Sequence, residues 1–181
     1  MPSTRNYRSP YQRTMSEKYP SVNDTQLIDC DGSSWQTKSG GILEVLYKLD
    51  YAMVMRFLDY DSEEFQRLPE LRGLRSYRVS DITLGAVGAK EWHKARNEIV
   101  FALSGSLRWT CEDVYGGKKE YVLDGSNAVF TPRGILHTYT ALSERASIGV
   151  LANTLFDASD PTTHDSYPVE EFRTIAEQHS P

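Results

Sequence analysis

The chain has 181 residues, of which 39% are hydrophobic and 25% are charged, and its formal net charge at pH 7 is -5. This balance is typical of a globular protein, and it excludes disordered chains and strongly basic proteins that bind nucleic acid. The longest apolar runs, residues 99–103 and 148–152, are far shorter than the roughly 20 residues that cross a bilayer, so we expect no membrane partner. Residues 1–19 lack the apolar stretch of a secretory signal, which predicts a cytoplasmic protein.

The N-terminal region differs in composition from the rest of the chain. Residues 1–25 are rich in Ser, Arg, Asn and Tyr without periodicity, and we interpret them as an arm outside the core. Residues 26–181 are then expected to form a single domain. Cys30 and Cys111 match neither a zinc-site spacing nor a disulfide framework, which predicts two reduced structural thiols.

Short β-type runs dominate the predicted elements, which indicates an all-β fold. Apolar runs at residues 42–49 and 52–58 are predicted strands, and residues 61–70 are predicted to form the only helix before the C-terminal region. A hairpin turn at residues 115–118 and a final helix at residues 169–177 are also expected. The remaining predicted strands are residues 74–79, 82–87, 99–103, 107–111, 121–123, 128–130, 137–141 and 147–151. Short strands divided by Gly, Pro, Asn and Asp are typical of an antiparallel sandwich or barrel.

Four ionisable residues stand at spacings that suit a shared pocket. Glu91 and His93 are two positions apart, so on a strand their side chains point to one face. The polar residues 94–97 can form a turn, after which Glu98 can open the next strand towards the same cavity. About forty positions later, a reversal forced by Pro and Gly delivers His137 at the start of another strand.

The two stretches that carry these residues resemble the paired motifs of the cupin superfamily. Residues 88–98 with Gly105 match the first motif, and residues 125–137 match the second. Glu91 stands where the family usually places its first His, and Ala141 stands in the position of the terminal Asn. The resemblance implies a cupin jelly-roll barrel with short flanking helices, in which the four matched side chains point into the mouth.

Over most of its length the chain is also similar to the WxcM-like cupins, which include the sugar-nucleotide 3,4-ketoisomerases. Those enzymes generally work without a metal and use a His-x-His pair as acid and base. Here Glu91 replaces the first His, His93 keeps the second, and Gly88 replaces an Arg that usually precedes the pair by three. The loss of that Arg argues against a dTDP-sugar substrate. The matching segments are residues 39–44, 75–79, 93–94, 103–106, 132–137, 150–152, 156–157 and 167–172.

This resemblance predicts an enzyme that performs proton-transfer chemistry on a carbonyl-containing metabolite, by isomerisation, epimerisation, dehydration or cyclisation. Glu91 is the expected base, His93 an acid or a ligand, and His137 and Glu98 orient the substrate or bind a metal. Two imidazoles and two carboxylates suit Fe, Mn, Ni or Zn, so Glu91, His93, Glu98 and His137 are candidate metal ligands. The natural setting is sugar-nucleotide or secondary metabolism.

Two other functions use the same four residues. A non-haem iron dioxygenase would employ them as ligands, and a non-catalytic cupin would only bind its ligand. Candidate substrate-binding residues elsewhere are Arg75, Tyr77, Trp109 and Tyr139. The expected partner is a small-molecule substrate, and the resemblance implies a homodimer.

Overall fold

The computed structural model describes residues 19–179, and all structural statements concern this part of the chain. Its helices are α1 (Tyr51–Leu58), α2 (Glu63–Arg67) and α3 (Val169–Glu177). Its strands are β1 (Gln26–Asp29), β2 (Ser34–Gln36), β3 (Ile42–Glu44), β4 (Arg72–Ile82), β5 (Val87–Trp92), β6 (Glu98–Ser104), β7 (Leu107–Glu112), β8 (Lys118–Leu123), β9 (Asn127–Thr131), β10 (Leu136–Ala141), β11 (Ala146–Thr154) and β12 (Tyr167–Pro168). Within residues 19–179, none of the helices has both the length and the apolar character needed to span a bilayer.

Two five-stranded antiparallel sheets face each other across the main core. The first has the order β1-β9-β6-β11-β4, and the second has the order β12-β5-β10-β7-β8. Side chains from both sheets form one buried cluster, which includes Val100 and Val150 from the first sheet and Leu107 and Trp109 from the second. Apart from the β7–β8 hairpin, neighbouring strands of each sheet are not consecutive in sequence, as in a jelly roll. The predicted all-β jelly-roll architecture is confirmed.

A second cluster packs α3 against the outer face of the second sheet. Trp92, Val114, Leu136 and Phe172 are all buried in it. Because Trp92 alternates with its neighbours along β5, its indole points away from the barrel interior and is covered by α3. The predicted final helix at residues 169–177 is confirmed.

The predicted strand at residues 52–58 is wrong, because these residues form α1. Asp50 caps the helix by accepting a hydrogen bond from the backbone N–H of Met53 at 2.8 Å. Met53 and Phe57 are buried four positions apart on one helical face, next to Ile28 and Phe130. The apolar residues therefore follow the helical period of 3.6 and not the strand period of 2.

Two further predicted strands are shorter or differently placed in the structure. Of residues 42–49, only Ile42–Glu44 forms a strand, and its side chains are exposed. Residues 82–87 contain a turn between β4 and β5, in which Gly85 has a φ of 77° and donates its N–H to the carbonyl of Ala141. The left-handed backbone at Gly85 interrupts the strand that was predicted from the apolar residues of this range.

The helix predicted at residues 61–70 exists as α2 with a following 3-10 turn at Pro69–Leu71. The predicted hairpin at residues 115–118 is also present, between β7 and β8. Asp113 holds it by accepting hydrogen bonds from the backbone N–H groups of Tyr115 at 3.1 Å and Gly117 at 2.7 Å.

Part of the predicted N-terminal arm contacts the barrel. Residues 1–18 lie outside the described residues. Val22 is buried in the main core, and Thr25 is hydrogen-bonded to Tyr121, so the expectation that this region stands apart from the core is wrong at these positions. The domain boundary at residue 26 and the homodimer stay predictions.

Candidate active site

Glu91 reaches the site through an irregularity at the end of β5. His137 of β10 pairs with Glu91, but the next residue, Thr138, pairs with Ala89, so β5 carries one extra residue here. Ala89 and Lys90 have φ values of 61° and 57°, in the left-handed region that side chains disfavour. Such a bulge re-aims the side chains beside it, and it places Glu91 opposite His137.

The loop that follows β5 carries His93 and is held by Asp165. The carboxylate of Asp165 accepts hydrogen bonds from the backbone N–H groups of Lys94 at 2.9 Å, Ala95 at 2.9 Å and Arg96 at 2.7 Å. The backbone carbonyl of Asp165 contacts Nδ1 of His93. Because a carbonyl oxygen only accepts, Nδ1 of His93 carries a proton and Nε2 faces the barrel interior.

Glu98 begins β6 and lies at the centre of the buried polar cluster. Its Oε1 accepts a hydrogen bond from the hydroxyl of Tyr77 at 2.7 Å and lies 3.4 Å from Nη1 of Arg96. Oε1 also lies 3.5 Å from Nε2 of His93, and Oε2 lies 3.5 Å from Nε2 of His137. One carboxylate therefore faces both imidazoles.

His137 begins β10 after a turn that is tied to the other motif. Gly134, with a φ of 79°, donates its backbone N–H to the carbonyl of His93 at 2.7 Å. Nδ1 of His137 lies 3.2 Å from the carbonyl of Ile135, so its Nε2 is the atom that faces Glu98. The ring stacks on Trp109 with centroids 5.0 Å apart.

Burial and charge set the protonation states of this cluster. Burial would raise the pKa of Glu98, but the neighbouring His93, His137 and Arg96 hold it well below its usual range. Burial lowers the pKa of His137 to about 4, against the opposing effect of the Glu98 carboxylate. At neutral pH the cluster therefore contains an ionised Glu98 and a neutral His137.

The structure brings together the four predicted pocket residues, Glu91, His93, Glu98 and His137. Ligand atoms of Glu91, His93 and His137 lie within 4.8 Å of one another, as a metal site would require. Glu98 lies against both imidazoles but also against the guanidinium of Arg96, so the protein itself supplies a positive charge beside this carboxylate.

The four predicted substrate-binding residues lie around the same cluster. Tyr77 is bonded to Glu98, and the guanidinium carbon of Arg75 lies 5.0 Å from the centre of the Tyr77 ring. Trp109 is buried beneath His137 and donates its indole N–H to Thr131 at 3.1 Å. The fourth, Tyr139, lies over the backbone of β5, and its hydroxyl occupies the place that a side chain on residue 88 would take. Their contacts with a substrate stay predictions.

Two functional candidates were missed in the sequence, Arg96 and Asp165. Arg96 stands in a polar segment that we interpreted only as a turn, yet its side chain is 4% exposed and lies between His93 and Glu98. Asp165 stands in polar sequence some seventy positions from the loop that it holds. Because Asp165 is so far from this loop in the sequence, no local pattern could have identified it. Arg96 could have been suspected, weakly, because it stands two positions before the motif residue Glu98.

Comparison with known proteins supports the resemblance found in the sequence. A search of curated proteins found no match to this chain. The chain is similar in structure to QdtA, a sugar 3,4-ketoisomerase from Thermoanaerobacterium thermosaccharolyticum in complex with TDP, with a TM-score of 0.58, 14% identity, and coverage of 87% of this chain and 97% of that chain.

Two further solved structures share the fold. WlaRA, a TDP-fucose-3,4-ketoisomerase from Campylobacter jejuni, gives a TM-score of 0.58 at 15% identity over 84% of this chain and 96% of that chain. The RmlC epimerase of Mycobacterium tuberculosis gives a TM-score of 0.51 at 15% identity over 78% of this chain and 73% of that chain.

The family model "FdtA: WxcM-like, C-terminal" matches residues 60–170. That range contains both motif stretches and the segment that carries Asp165. Because the match spans more than half of the chain, the protein belongs to the WxcM-like, C-terminal family.

Proposed function

We propose that this protein is an isomerase-type enzyme that moves a proton between neighbouring carbons of a carbonyl-containing small molecule. The observation that carries the proposal is the convergence of Glu91, His93 and His137 within 4.8 Å, with Glu98 behind both imidazoles. Buried ionisable groups are costly unless they are paired or perform a task, and such groups cluster at functional sites.

In the proposed reaction, Glu91 is the base. The Glu91 side chain is half-buried, whereas His93, Glu98 and His137 are buried. A substrate that enters at the mouth of the barrel therefore meets the Glu91 carboxylate first. It accepts the proton from the carbon next to the carbonyl, and the electron pair of that C–H bond becomes the enolate. A carboxylate next to a desolvated carbonyl substrate is sound general base chemistry.

His93 completes the transfer in this proposal. Nε2 of His93 lies 3.5 Å from Oε1 of Glu98 and its Nδ1–H is bonded to the backbone carbonyl of Asp165, so the proton that the ring can transfer is the one on Nε2. In an α-hydroxy carbonyl substrate, protonated His93 returns a proton to the former carbonyl carbon while the hydroxyl proton passes to the former carbonyl oxygen, which is isomerisation. Return of the proton to the opposite face of the same carbon is epimerisation. In both outcomes Glu91 then loses its proton to solvent and His93 regains one.

Sugar-nucleotide or secondary metabolism is the setting that we propose, since solved relatives bind TDP and TDP-sugars. One feature departs from that pattern. Residue 88 is Gly, and the uncharged hydroxyl of Tyr139 fills the place of its missing side chain. A substrate with fewer phosphate charges than a TDP-sugar is consistent with this exchange.

A test follows C–H exchange directly. We expect the protein in D2O to exchange hydrogens next to the carbonyl in at least one of three probes, pyruvate, hydroxyacetone and TDP-4-keto-6-deoxyglucose, as measured by proton NMR. Glu91→Gln should slow this exchange by roughly 100-fold or more, because a general base contributes about 10²–10⁴ to a rate. Glu44→Gln, at an exposed position on β3, is the matched control and should exchange at the wild-type rate. Binding of a probe without exchange would favour the non-catalytic cupin and contradict the proposal.

A metal-dependent reaction is the second candidate, and one observation favours it. Glu91, His93 and His137 form a two-His, one-carboxylate set, and the Nδ1 atoms of both imidazoles are fixed by backbone carbonyls, as in many metal sites. A bound divalent Fe, Mn, Ni or Zn would polarise the substrate carbonyl, or activate oxygen in a dioxygenase. Elemental analysis of the purified protein combined with oxygen-uptake measurement separates these functions. Stoichiometric iron and oxygen consumption would favour the dioxygenase over the isomerase.

A further inference from the structure

We infer that the substrate carries a carboxylate, which Arg75 and Arg96 bind through their Nε–H groups beside the proton-transfer residues. This inference rests on the proposed function, because it concerns the substrate of the same pocket. It assigns a binding role to Arg96, which no sequence motif indicated. The reasons are the unsatisfied hydrogen-bond donors of the two side chains, the lack of an ion-pair partner for Arg75 among the described residues, and the place of Arg75 in one row with Glu98.

Arg96 presents an unused donor at the centre of the site. Its side chain is 4% exposed, and its Nη1 lies 3.4 Å from both Nε2 of His93 and Oε1 of Glu98. Its Nε–H is buried and has no hydrogen-bond acceptor among residues 19–179. Buried donors in native proteins are nearly always hydrogen-bonded, so an unsatisfied one next to reactive groups indicates a ligand atom.

Arg75 presents a second unused donor on the facing part of the pocket. Its guanidinium carbon lies 5.0 Å from the ring centres of both Tyr77 and Phe156, which hold the side chain between two aromatic faces. Its Nε–H is also buried without an acceptor in the described part of the chain. Burial, and then the charge of Arg96, lower the pKa of Arg75, so the two guanidinium groups influence each other.

The register of the first sheet places Arg75 in one row with Glu98, the carboxylate that Arg96 contacts. Arg75 on β4 pairs with Ala152 on β11, and Ala152 pairs with Glu98 on β6, so the three residues form one row across the sheet. Ala152 contributes only a methyl group to this buried row. Ala152 therefore lies between Arg75 on one side and, on the other, Glu98 with the Arg96 guanidinium that contacts it.

The charges and donors favour a carboxylate over a phosphate. Arg96 is paired with Glu98, whereas none of the ion pairs between described residues includes Arg75, although the charges of Glu98 and Glu91 act to raise its pKa. A carboxylate brings one negative charge and two oxygens for the two Nε–H donors. A phosphate brings about two negative charges next to the carboxylates of Glu91 and Glu98, which act on Arg75 electrostatically, so it is matched less well than a singly charged carboxylate.

Calorimetric titration with three probes tests this inference. We expect saturable binding of pyruvate, and no binding of inorganic phosphate or of methyl pyruvate, which keeps the carbonyl but lacks the charge. Arg75→Gln should weaken pyruvate binding by roughly 10- to 100-fold, the range for loss of a charge-assisted hydrogen bond.

Arg78→Gln is the matched control, because Arg78 lies on the same strand with an exposed side chain, and it should bind pyruvate like the wild type. Arg96→Lys keeps the positive charge beside Glu98 but removes the Nε–H of the guanidinium, and should also weaken binding. Circular dichroism establishes that each variant is folded.

Equal binding of pyruvate and methyl pyruvate, or equal affinities in Arg75→Gln and Arg78→Gln, would overturn the inference. The outcome is distinguishable from failure of the proposed function. If hydrogen exchange is lost in Glu91→Gln but unchanged in Arg75→Gln, the proton-transfer function is supported and the substrate carboxylate is not. If pyruvate binding is weakened in Arg75→Gln but none of the probes exchanges hydrogen, the carboxylate-binding site is supported and the proposed reaction is not.

Discussion

Asp165 contacts His93 and its loop through both its backbone and its side chain. The backbone carbonyl fixes Nδ1 of His93, while the carboxylate accepts the N–H groups of Lys94, Ala95 and Arg96. Asp165 lies near the C-terminal end of the chain and is 2% exposed. One residue thus sets the orientation of the imidazole and the path of the loop that turns Arg96 inward.

Asp165→Asn is therefore expected to reduce both stability and the exchange rate. The amide keeps the size of the side chain but offers one acceptor oxygen, so buried N–H groups of the loop lose their partner, at a cost of roughly 2–3 kcal/mol. We expect exchange to slow by at least about tenfold, because His93 and Arg96 are displaced together. Urea denaturation and NMR exchange measure the two effects. Asp157→Asn, an exposed position in the same segment, should change neither one, and equal behaviour of the two variants would contradict the positioning role.

The stability of the protein should fall in mild acid because of His137 and Glu98. Burial depresses the pKa of folded His137 to about 4 from its usual value of 6.5, so between these values the unfolded chain binds a proton that the folded chain does not. The free energy of unfolding should then decrease by up to about 1.4 kcal/mol per pH unit as the pH falls from 6.5 towards 4. The pKa of Glu98 lies well below its usual value, so its contribution is present above pH 4.5 and is lost as the pH falls further.

Urea denaturation at a series of pH values between 7 and 4.5 checks this prediction. His137→Asn removes the buried imidazole and should flatten the pH dependence in this window. Thr138→Ala changes the next position of β10 without a titrating group, and should keep the wild-type slope whatever its stability. A wild-type slope in His137→Asn would show that the acid sensitivity has another source.

The left-handed backbone beside Glu91 can be tested at an exposed side chain. Ala89 has a φ of 61° and is exposed, so substitutions there act mainly through the backbone. Ala89→Gly should raise the free energy of unfolding by about 1 kcal/mol, because Gly adopts this conformation without a steric penalty. Ala89→Val should lower it by more than about 1 kcal/mol, since a β-branched side chain is poorly accommodated at positive φ. Thermal unfolding measures both, and a stabilised Val variant would exclude the bulge as described.

Trp109 is expected to support His137 from below. Trp109→Phe removes the indole N–H that donates to Thr131 and part of the ring that stacks on His137. We expect a loss of roughly 1–3 kcal/mol in the free energy of unfolding, from an unsatisfied hydroxyl and a cavity. Trp35→Phe is the matched control at a side chain that is 52% exposed, and should change stability by less than about 0.5 kcal/mol. Denaturant titrations that give equal losses for both variants would contradict the supporting role.

The sequence by itself determined the sheet-rich architecture and the four pocket residues. Short strands between turn residues follow from alternation and turn formation within a few residues, so they are visible without knowledge of the fold. The convergence of Glu91, His93 and Glu98 with His137 was implied instead by the resemblance of their two stretches to the cupin motifs, and the pairing of β10 with β5 agrees with it.

Only the tertiary structure decided which polar residues become part of the site. Arg96 stands among polar residues of a predicted turn, and it is buried because Asp165, far along the chain, binds the loop backbone and turns the guanidinium towards Glu98. The prediction of a strand at α1 is wrong for a similar reason. Met53 and Phe57 lie on one face of a helix, and that face is buried because it packs on the first sheet. In each case the contact that buries the residue joins segments that are distant in sequence, and the local pattern of apolar and polar residues does not report such contacts.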